Sequence, residues 1–597
     1  MLLASLLRTD NTILTTAKFL QKGSTMAKNY NRTSYKMSYN GFEGVNTRKS
    51  HSGNESISML ENFRLGNGKT LEKRCGYIKS ASADVPISQA FRAFPNGTEV
   101  YYLLCENIVF KYTPHDDAIS PIYSIDAFDH AYFFEYLGNV YLCTDKKIYE
   151  ITENSVEEIH PYIPLYGKDW PSSRAGEQYE ELNILCNKVA ISYKFVSPSH
   201  GFLSIGDLKF AGIEAIYRNG ELLSPEKYHY DDVYNLIAVS EHEDDDEFVA
   251  IIQITHDQTI QDQFNEILKT KASSVFYELN NHNLLLWGNS ESNKIYYSKT
   301  VDPAIFEFIH RYTPNYNAFY IPPNSFFKVN KQSDRVKAII RHYDRVLIMT
   351  DTSTWMTDLT QLGQEDFQLK SINASLGCKK LGGAIRINNS IISLGGNSAF
   401  CWETNTDELN ECNAYSISES IRELLPKNFF DNCIITVNHQ DSEVWFHNAS
   451  SKITWIYNTA YSAWYKYTGF EVTAFLESDT NVIFAQNKSV YRFDKNIYSD
   501  DSSEITAVFK SGHLEFNTLK FKKFNLIVLR GEFSSGKLTV KLLTDNTRLL
   551  EKEIDPPSEH SVLSFRIRTG SFKTISVELC ATGIGEQRIH SMDLYAN

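Results

Sequence analysis

Apolar and polar residues alternate with a period of two over short runs, and turn-forming residues break those runs. The stretch from Glu443 to Tyr467 (EVWFHNASSKITWIYNTAYSAWYKY) shows the pattern well. Val444 and Phe446 fall on one face, Trp445 and His447 on the other. After Asn448–Lys452 the alternation resumes with Ile453, Trp455 and Tyr457, and a further turn leads to Trp464. Side chains that alternate in this way belong to short antiparallel strands.

The same design recurs. It is an apolar strand, a polar turn, and a strand carrying an aromatic residue. Further copies lie at Tyr101–Thr113, Val140–Thr152, Leu284–Lys299, Val346–Asp358, Ile391–Glu403 and Val482–Asp494. Most neighbours are about 40 to 60 residues apart, close to the period of four-stranded propeller blades. A lone blade leaves two apolar faces wet, whereas blades packed around an axis cover both. The fold expected is therefore all-β, a β-propeller of six to eight blades.

One interval is too long for a blade. Between Thr152 and Leu284, the segment Asn183–Thr255 carries strands of its own and an Asn-Gly hairpin at Arg218–Glu221, so a β-sandwich is expected as an insertion. Thr259–Ala272 places Ile260, Phe264, Ile267 and Leu268 at helical spacing, and a second short helix is expected at Ser418–Leu425, capped by Ser418 and stopped by Pro426. Tyr498–Glu504 (YSDDSSE) reads as a polar linker, and Ile505–Asn597 as a closing C-terminal β-sandwich. Tyr39–Ser80 reads as extended chain with glycine-marked turns, anchored by Phe42, Val45, Met59, Leu60 and Phe63. The expected division is an N-terminal arm over 1–40, expected to be mobile, with Met26 as a second possible start. The opening segment and first blades follow over 41–160, the inserted sandwich with its helix over 161–275, the remaining blades over 276–500, and the closing sandwich over 501–597.

Composition narrows the function. The 597 residues carry a formal net charge of -14, which argues against binding held by phosphate contacts and against an anionic membrane surface. No apolar run approaches the ~20 residues of a membrane span, and Met1–Leu7 lacks a basic start and a cleavage site, so no secretory leader is expected. The nine cysteines are scattered, with no C-x-x-C pair, and are expected to be single buried thiols.

The candidate chemistry is thin. Gly531–Leu538 (GEFSSGKL) nearly matches a phosphate loop, but Leu538 stands where the magnesium-holding hydroxyl belongs and the segment joins two strands; a hairpin turn is expected. Glu241–Glu247 (EHEDDDE) and Asp494–Asp501 lack the glycine of a calcium loop, and the first is expected to be a solvated loop tip. Asp351–Trp355 (DTSTW) lacks the glycine of the sialidase turn S-x-D-x-G-x-T-W. No nucleophile elbow and no H-E-x-x-H pair occurs. No catalytic, cofactor-binding or metal-ligating residue is assigned, and no cofactor is expected.

Two stretches resemble a known group. The opening segment carries Gly44, Val45 and Asn46, then Asn62 and Phe63, then Gly68, Leu71, Lys73, Arg74, Gly76 and Tyr77. It is similar to the phrase "G-(V/I)-N/D … N-(F/M)-x…G-x-L-x-K-R-x-G-(Y/W)" of tailed-bacteriophage virion proteins. The spacing from Gly68 to Leu71 is one residue longer, and Cys75 stands where proline is common. The blade phrase WIYNTAYSAWYKY resembles the "Y-(N/D)-x-x-x-x-x-W" turns of the same proteins. The order of parts is also similar, from opening segment to propeller with inserted sandwich to closing sandwich. The resemblance implies a structural, non-enzymatic role in a short-tail nozzle, or in a tail or head-completion ring. That part retains DNA and lets it pass at ejection without specific binding. It implies self-assembly as a ring, a hexamer, with tail-adaptor or portal-side and tail-fibre proteins as partners. The location implied is the virion tail, assembled in the host bacterial cytoplasm. The alternatives are a host-surface adhesin gripping glycans through Tyr217, Tyr228 and Tyr230, and a propeller glycosidase.

Overall fold

A computed structural model of the chain describes residues 34–47, 56–172, 174–195, 201–278, 281–329, 333–364, 367–402, 414–534, 536–545, 547–554 and 562–597. Most of the expected N-terminal arm and Cys412 lie outside these residues.

Among the described residues the recurrent hairpins are the middle strands of seven four-stranded antiparallel blades; five blades are separate sheets, and two are parts of a nine-stranded and a six-stranded sheet. Blades 1 to 6 occupy residues 89–124, 131–158, 272–328, 336–373, 384–416 and 433–467 in chain order. Blade 7 takes three strands from 474–494 and its fourth, Gly76–Ser82, from the opening segment. The ring therefore closes by pairing the two ends of the propeller chain, Phe493 opposite Tyr77 and Asp494 opposite Gly76. The first strand of blade 7 lies against that of blade 1.

The two-faced alternation explains the core. Blade 1 shares one apolar cluster with blade 7 and another with blade 2; blades 3 and 4 share a third, and blades 4 and 5 a fourth. Every residue of the strand Glu443–Asn448 is buried, because a blade between two others has no wet face. Phe446 meets Phe430 and Trp464, while Trp445 on the opposite face meets Tyr467 and Phe493 of blade 7.

The insertion follows blade 2. A five-stranded sheet and a three-stranded sheet enclose Trp170, Ile191, Tyr193, Ile237 and Phe248. Asn219 and Gly220 both have positive φ, as the Asn-Gly hairpin requires. Helix α1, Gln258–Leu268, is capped by Asp257, whose carboxylate accepts from Ile260 N at 2.9 Å; Ile260, Ile267 and Leu268 pack between blades 2 and 3. The strand Ala272–Glu278, which begins inside the span assigned to the insertion and crosses its boundary, is the first strand of blade 3. A helix without a sequence expectation, α2 over Pro303–His310, is capped by Asp302 and packs its Ile309 against the insertion.

Three expectations are corrected. Ser418–Leu425 is not a helix but a bend with a short 3-10 turn at Arg422–Leu424. Its local hydrogen bonds are the i to i+3 bonds of turns, and distant partners take the groups a helix start would use. Ile417 O accepts from Trp464 Nε1, Ser420 O accepts from Thr47 N, and the Ser418 hydroxyl accepts from Ala399 N. The polar linker Tyr498–Glu504 holds two short paired strands, with Asp500 in register with Tyr77. The phosphate-loop look-alike is not a hairpin either, since Phe524–Phe533 and Lys537–Thr544 belong to different sheets.

The closing sandwich is built from both ends of the chain. Ile57–Glu61, Ala507–Ser511, Ile575–Thr582, Lys537–Thr544 and Thr547–Ile554 form one sheet. Phe63–Leu65, Leu71–Lys73, Gln587–Ala596, Phe524–Phe533 and Val562–Arg566 form the other, and Tyr35–Tyr39, expected within the arm, pairs with Gln587–Ala596. The first sheet continues into blade 6 through Glu61, in parallel register with Lys466.

Candidate functional site: the weld between propeller and closing sandwich

The residues that carry the resemblance converge at one place, where blades 6 and 7 meet the closing sandwich. Asn62 is the pivot. It sits between Ile57–Glu61 of one sheet and Phe63–Leu65 of the other, with φ of 55°, which turns the chain from sheet to sheet. Asn is among the few residues that take that conformation readily. Its side chain is fully engaged. Nδ2 donates to Thr506 O at 2.8 Å and to the Thr468 hydroxyl at 3.1 Å, and Oδ1 accepts from Thr468 N and from Arg74 Nε, each at 2.9 Å.

Arg74 has no exposed surface. Its guanidinium grips both carboxylate oxygens of Asp500, at 2.7 Å on one arm, and donates to the carbonyls of Cys75 and Thr468. The rings of Tyr467 and Phe470 lie 5.5 and 5.6 Å from its charge centre. A buried cation is tolerable only with such complete pairing. One side chain thus ties the opening segment, blade 6 and the chain leaving blade 7. Lys73, buried beside it, donates to Gly583 O; burial first, and the Arg74 charge second, bring its pKa down to about 8.

Two glycines are needed for close approach. A Cβ on Gly44 would stand 2.5 Å from Trp464 N, and one on Gly76 would stand 1.9 Å from Ser499 O. Tyr77 then packs edge-on against Phe470, Phe484 and Phe493. Val45 N donates to Trp464 O at 2.9 Å. Phe42, Val45, Leu60 and Phe63 are buried as expected of anchors, and Met59 is half-buried.

A cleft of about 250 Å³ opens at this weld, lined by Arg64, Glu72, Lys73, Cys75, Lys495 and Arg588 among others. Its charges are mutually satisfied. Arg64 pairs with Asp441 at 2.9 Å, Lys495 with Asp441 at 3.1 Å and Arg588 with Glu72 at 2.9 Å. Burial disfavours the Asp441 carboxylate, yet Arg64 and Lys495 hold its pKa down to about 2. Burial pushes the Cys75 thiol up to about 11, so it is a poor nucleophile at neutral pH. Beneath the cleft, buried Glu443 accepts from Tyr465 Oη and Trp445 Nε1, and burial raises its pKa. The arrangement is that of a joint, with its charged side chains paired chiefly to one another.

The other sequence candidates are also engaged internally. Within Glu241–Glu247, Asp246 is buried and accepts from Glu243 N, Asn219 and Arg218, which folds the acidic loop back on itself instead of leaving all of it solvated. In Asp351–Trp355, the hydroxyls of Thr352 and Ser353 donate to Asp334, and Trp355 Nε1 donates to Ser353 Oγ at 2.9 Å. Among the described residues, no group of three or more His, Cys, Asp or Glu is placed to hold a metal ion. The adhesin tyrosines are half-buried: Tyr230 stacks on Phe210, Tyr217 Oη donates to Tyr312 O at 3.1 Å, and Tyr228 packs on the insertion core. Asp500 and Asp441 escaped sequence reasoning because an acid in a polar run looks the same whether its partner is water or a distant arginine.

No protein-family profile and no curated protein matches the chain. It is similar to propeller structures. They include the WD40 domain of SCAP from fission yeast (10% identity, 70% of this chain and 98% of that one, TM-score 0.32). The AfRom2 CNH domain is another (7% identity, 70% and 99%, TM-score 0.36). Among the described residues, no helix is long and apolar enough to cross a membrane.

Proposed function

We propose that this chain is a structural part of a tailed-bacteriophage virion, a ring-forming component of the tail nozzle or tail channel through which DNA is held and then ejected, and that it performs no turnover. One observation carries the reading: the residues of the virion-protein phrase, from Gly44 to Tyr77, form the weld at which propeller and closing sandwich become one continuous body. A part that holds pressurised DNA must transmit load between its pieces without hinging. A buried, fully paired arginine and a sheet running from blade 6 into the sandwich supply that stiffness. The acid excess of the chain suits a channel that DNA must leave quickly, because phosphates are repelled by such a wall.

In this reading the chain assembles with itself as a hexamer and meets adaptor and fibre proteins at its ends. Imaging of purified particles carrying a label on this chain tests it. A label in a ring on the tail axis is the expected result. A label on the capsid exterior, or no label in the particle, overturns it.

A further inference from the structure

The insertion and the closing sandwich stand on opposite sides of the propeller. The insertion leaves the ring between blades 2 and 3, and the sandwich grows from blade 6, three and a half blades away, half a turn of a seven-bladed ring.

The outward face of the insertion's three-stranded sheet mixes apolar and polar residues among those described. Its strands are Phe202–Ser204, Leu236–Val239 and Tyr228–Asp231. Leu203, Ile237 and Val239 point inward and are buried; Phe202 and its cross-strand partner Ala238 point outward, as do Leu236, Ser204, His229 and Asp231, with Phe202 exposed and Leu236 and Ala238 half-buried. At the end of the sheet the turn sets out Val233 and Tyr234, 78% and 73% exposed. That turn is held, since Asp231 Oδ1 accepts from the amides of Val233 and Tyr234 at 3.0 and 3.2 Å. Ordered apolar residues in water mark a contact surface when they cluster. The segment that carries this face is acidic in composition: residues 201–250 hold twelve Asp and Glu against three Lys and Arg.

The chain holds a complementary piece. Residues 1–33, before the first described strand, carry Arg8, Lys18, Lys22, Lys28 and Arg32 against a single acid, Asp10, in a protein of net charge -14. They also carry apolar residues, among them Leu6, Leu7, Phe19 and Leu20. The segment leaves from the closing sandwich, where Tyr35 pairs with Ala596. Its 33 residues reach at most about 120 Å when extended.

We infer that residues 1–33 of one copy dock on the face formed by Phe202, Leu236, Ala238, Val233 and Tyr234 in the insertion of the next copy. The inference rests on the ring reading above and names its contact. A basic, apolar arm at one side and an acidic, apolar face at the other make a heterologous contact, the kind that closes a ring when repeated. A two-fold dimer would instead need one patch that complements itself.

Three full-length or near-full-length chains test the contact by sedimentation: the parent, a chain beginning at residue 34, and the double variant Phe202→Glu with Tyr234→Glu. Both substituted residues lie at the surface, and matching circular dichroism spectra and melting temperatures check that the fold is kept. The parent is expected to assemble, less so as salt rises. Each altered chain alone is expected to stay monomeric. Their equimolar mixture should give a two-chain complex and nothing larger, because one chain supplies the only good arm and the other the only good face. Assembly that survives both changes, a mixture that stays monomeric, or a parent that never associates overturns the inference. So does concentration-independent protection of residues 202–204 and 228–239 from hydrogen exchange in monomeric parent, which would place the arm on its own chain. Presence of the chain in the particle is read separately by the label, so the contact can fail while the tail reading stands.

Discussion

Arg74 and Asp500, 426 positions apart in sequence, meet in a two-armed ion pair at a place where the arginine has no solvent contact. The pair lies where the opening segment, blade 6 and the chain leaving blade 7 come together. Its removal should therefore loosen several pieces at once.

Arg74→Ala is expected to cost about 3–5 kcal/mol, because it strands a buried carboxylate. Removing Asp500 as well should recover part of the loss, since neither charge is then left alone. Urea denaturation of the two single variants and the double variant measures this. A loss below about 1 kcal/mol for Arg74→Ala would mean the weld does not rest on this pair.

Gly76→Ala should open blade 7. The added methyl would stand 1.9 Å from Ser499 O, a backbone atom that cannot swing away. The strand Gly76–Ser82 closes the ring, so faster hydrogen exchange is expected over Ser489–Asp494, its partner. Gly570→Ala is the control: a Cβ there meets nothing within 4 Å, and its exchange pattern should match the parent. Equal behaviour of the two variants would contradict the closure.

His447 should make the fold acid-sensitive. Its Nε2 accepts from Val472 N at 3.1 Å and its Nδ1 faces Thr454 Oγ1 at 2.9 Å, so the neutral ring with the proton on Nδ1 fits. Burial lowers its pKa from 6.5 to about 4, with Glu471 opposing weakly. Between those values the unfolded chain binds the extra proton, so this contribution is whole above pH 6.5 and is lost as pH falls towards 4. The loss is about 3 kcal/mol. His447→Gln, which keeps an acceptor and a donor, should flatten the stability profile in that window; an unchanged slope would refute the assignment.

The native chain should resist alkylation. Six of the eight described thiols are buried, and burial raises Cys105 and Cys143 to about 12 and Cys186 and Cys378 to about 11. Iodoacetamide at neutral pH is expected to label these four only after denaturation. Mass spectrometry reads each site, and rapid labelling of Cys105 or Cys143 in folded protein would count against the packing described.

The strands themselves were legible in the residues. Alternation in Tyr101–Thr113 or Glu443–Tyr467 is a local property, because side-chain direction in a strand is set by the backbone of that strand. All seven hairpins read in this way became the middle strands of blades. The helix α1 was legible for a similar reason, through the spacing of Ile260, Ile267 and Leu268. Pairing between distant segments was not. Nothing near Gly76 says that its strand completes a blade whose other strands begin nearly 400 residues later, and nothing near Asp500 says that it will meet Arg74. Ser418–Leu425 had the composition of a helix, but Thr47 took its Ser420 carbonyl and Ala399 its Ser418 hydroxyl. Local pattern alone determined strand, turn and two-faced burial. Tertiary structure decided the number of blades, the closure of the ring and the shared sandwich, because those depend on which distant donors and apolar faces compete best for each strand.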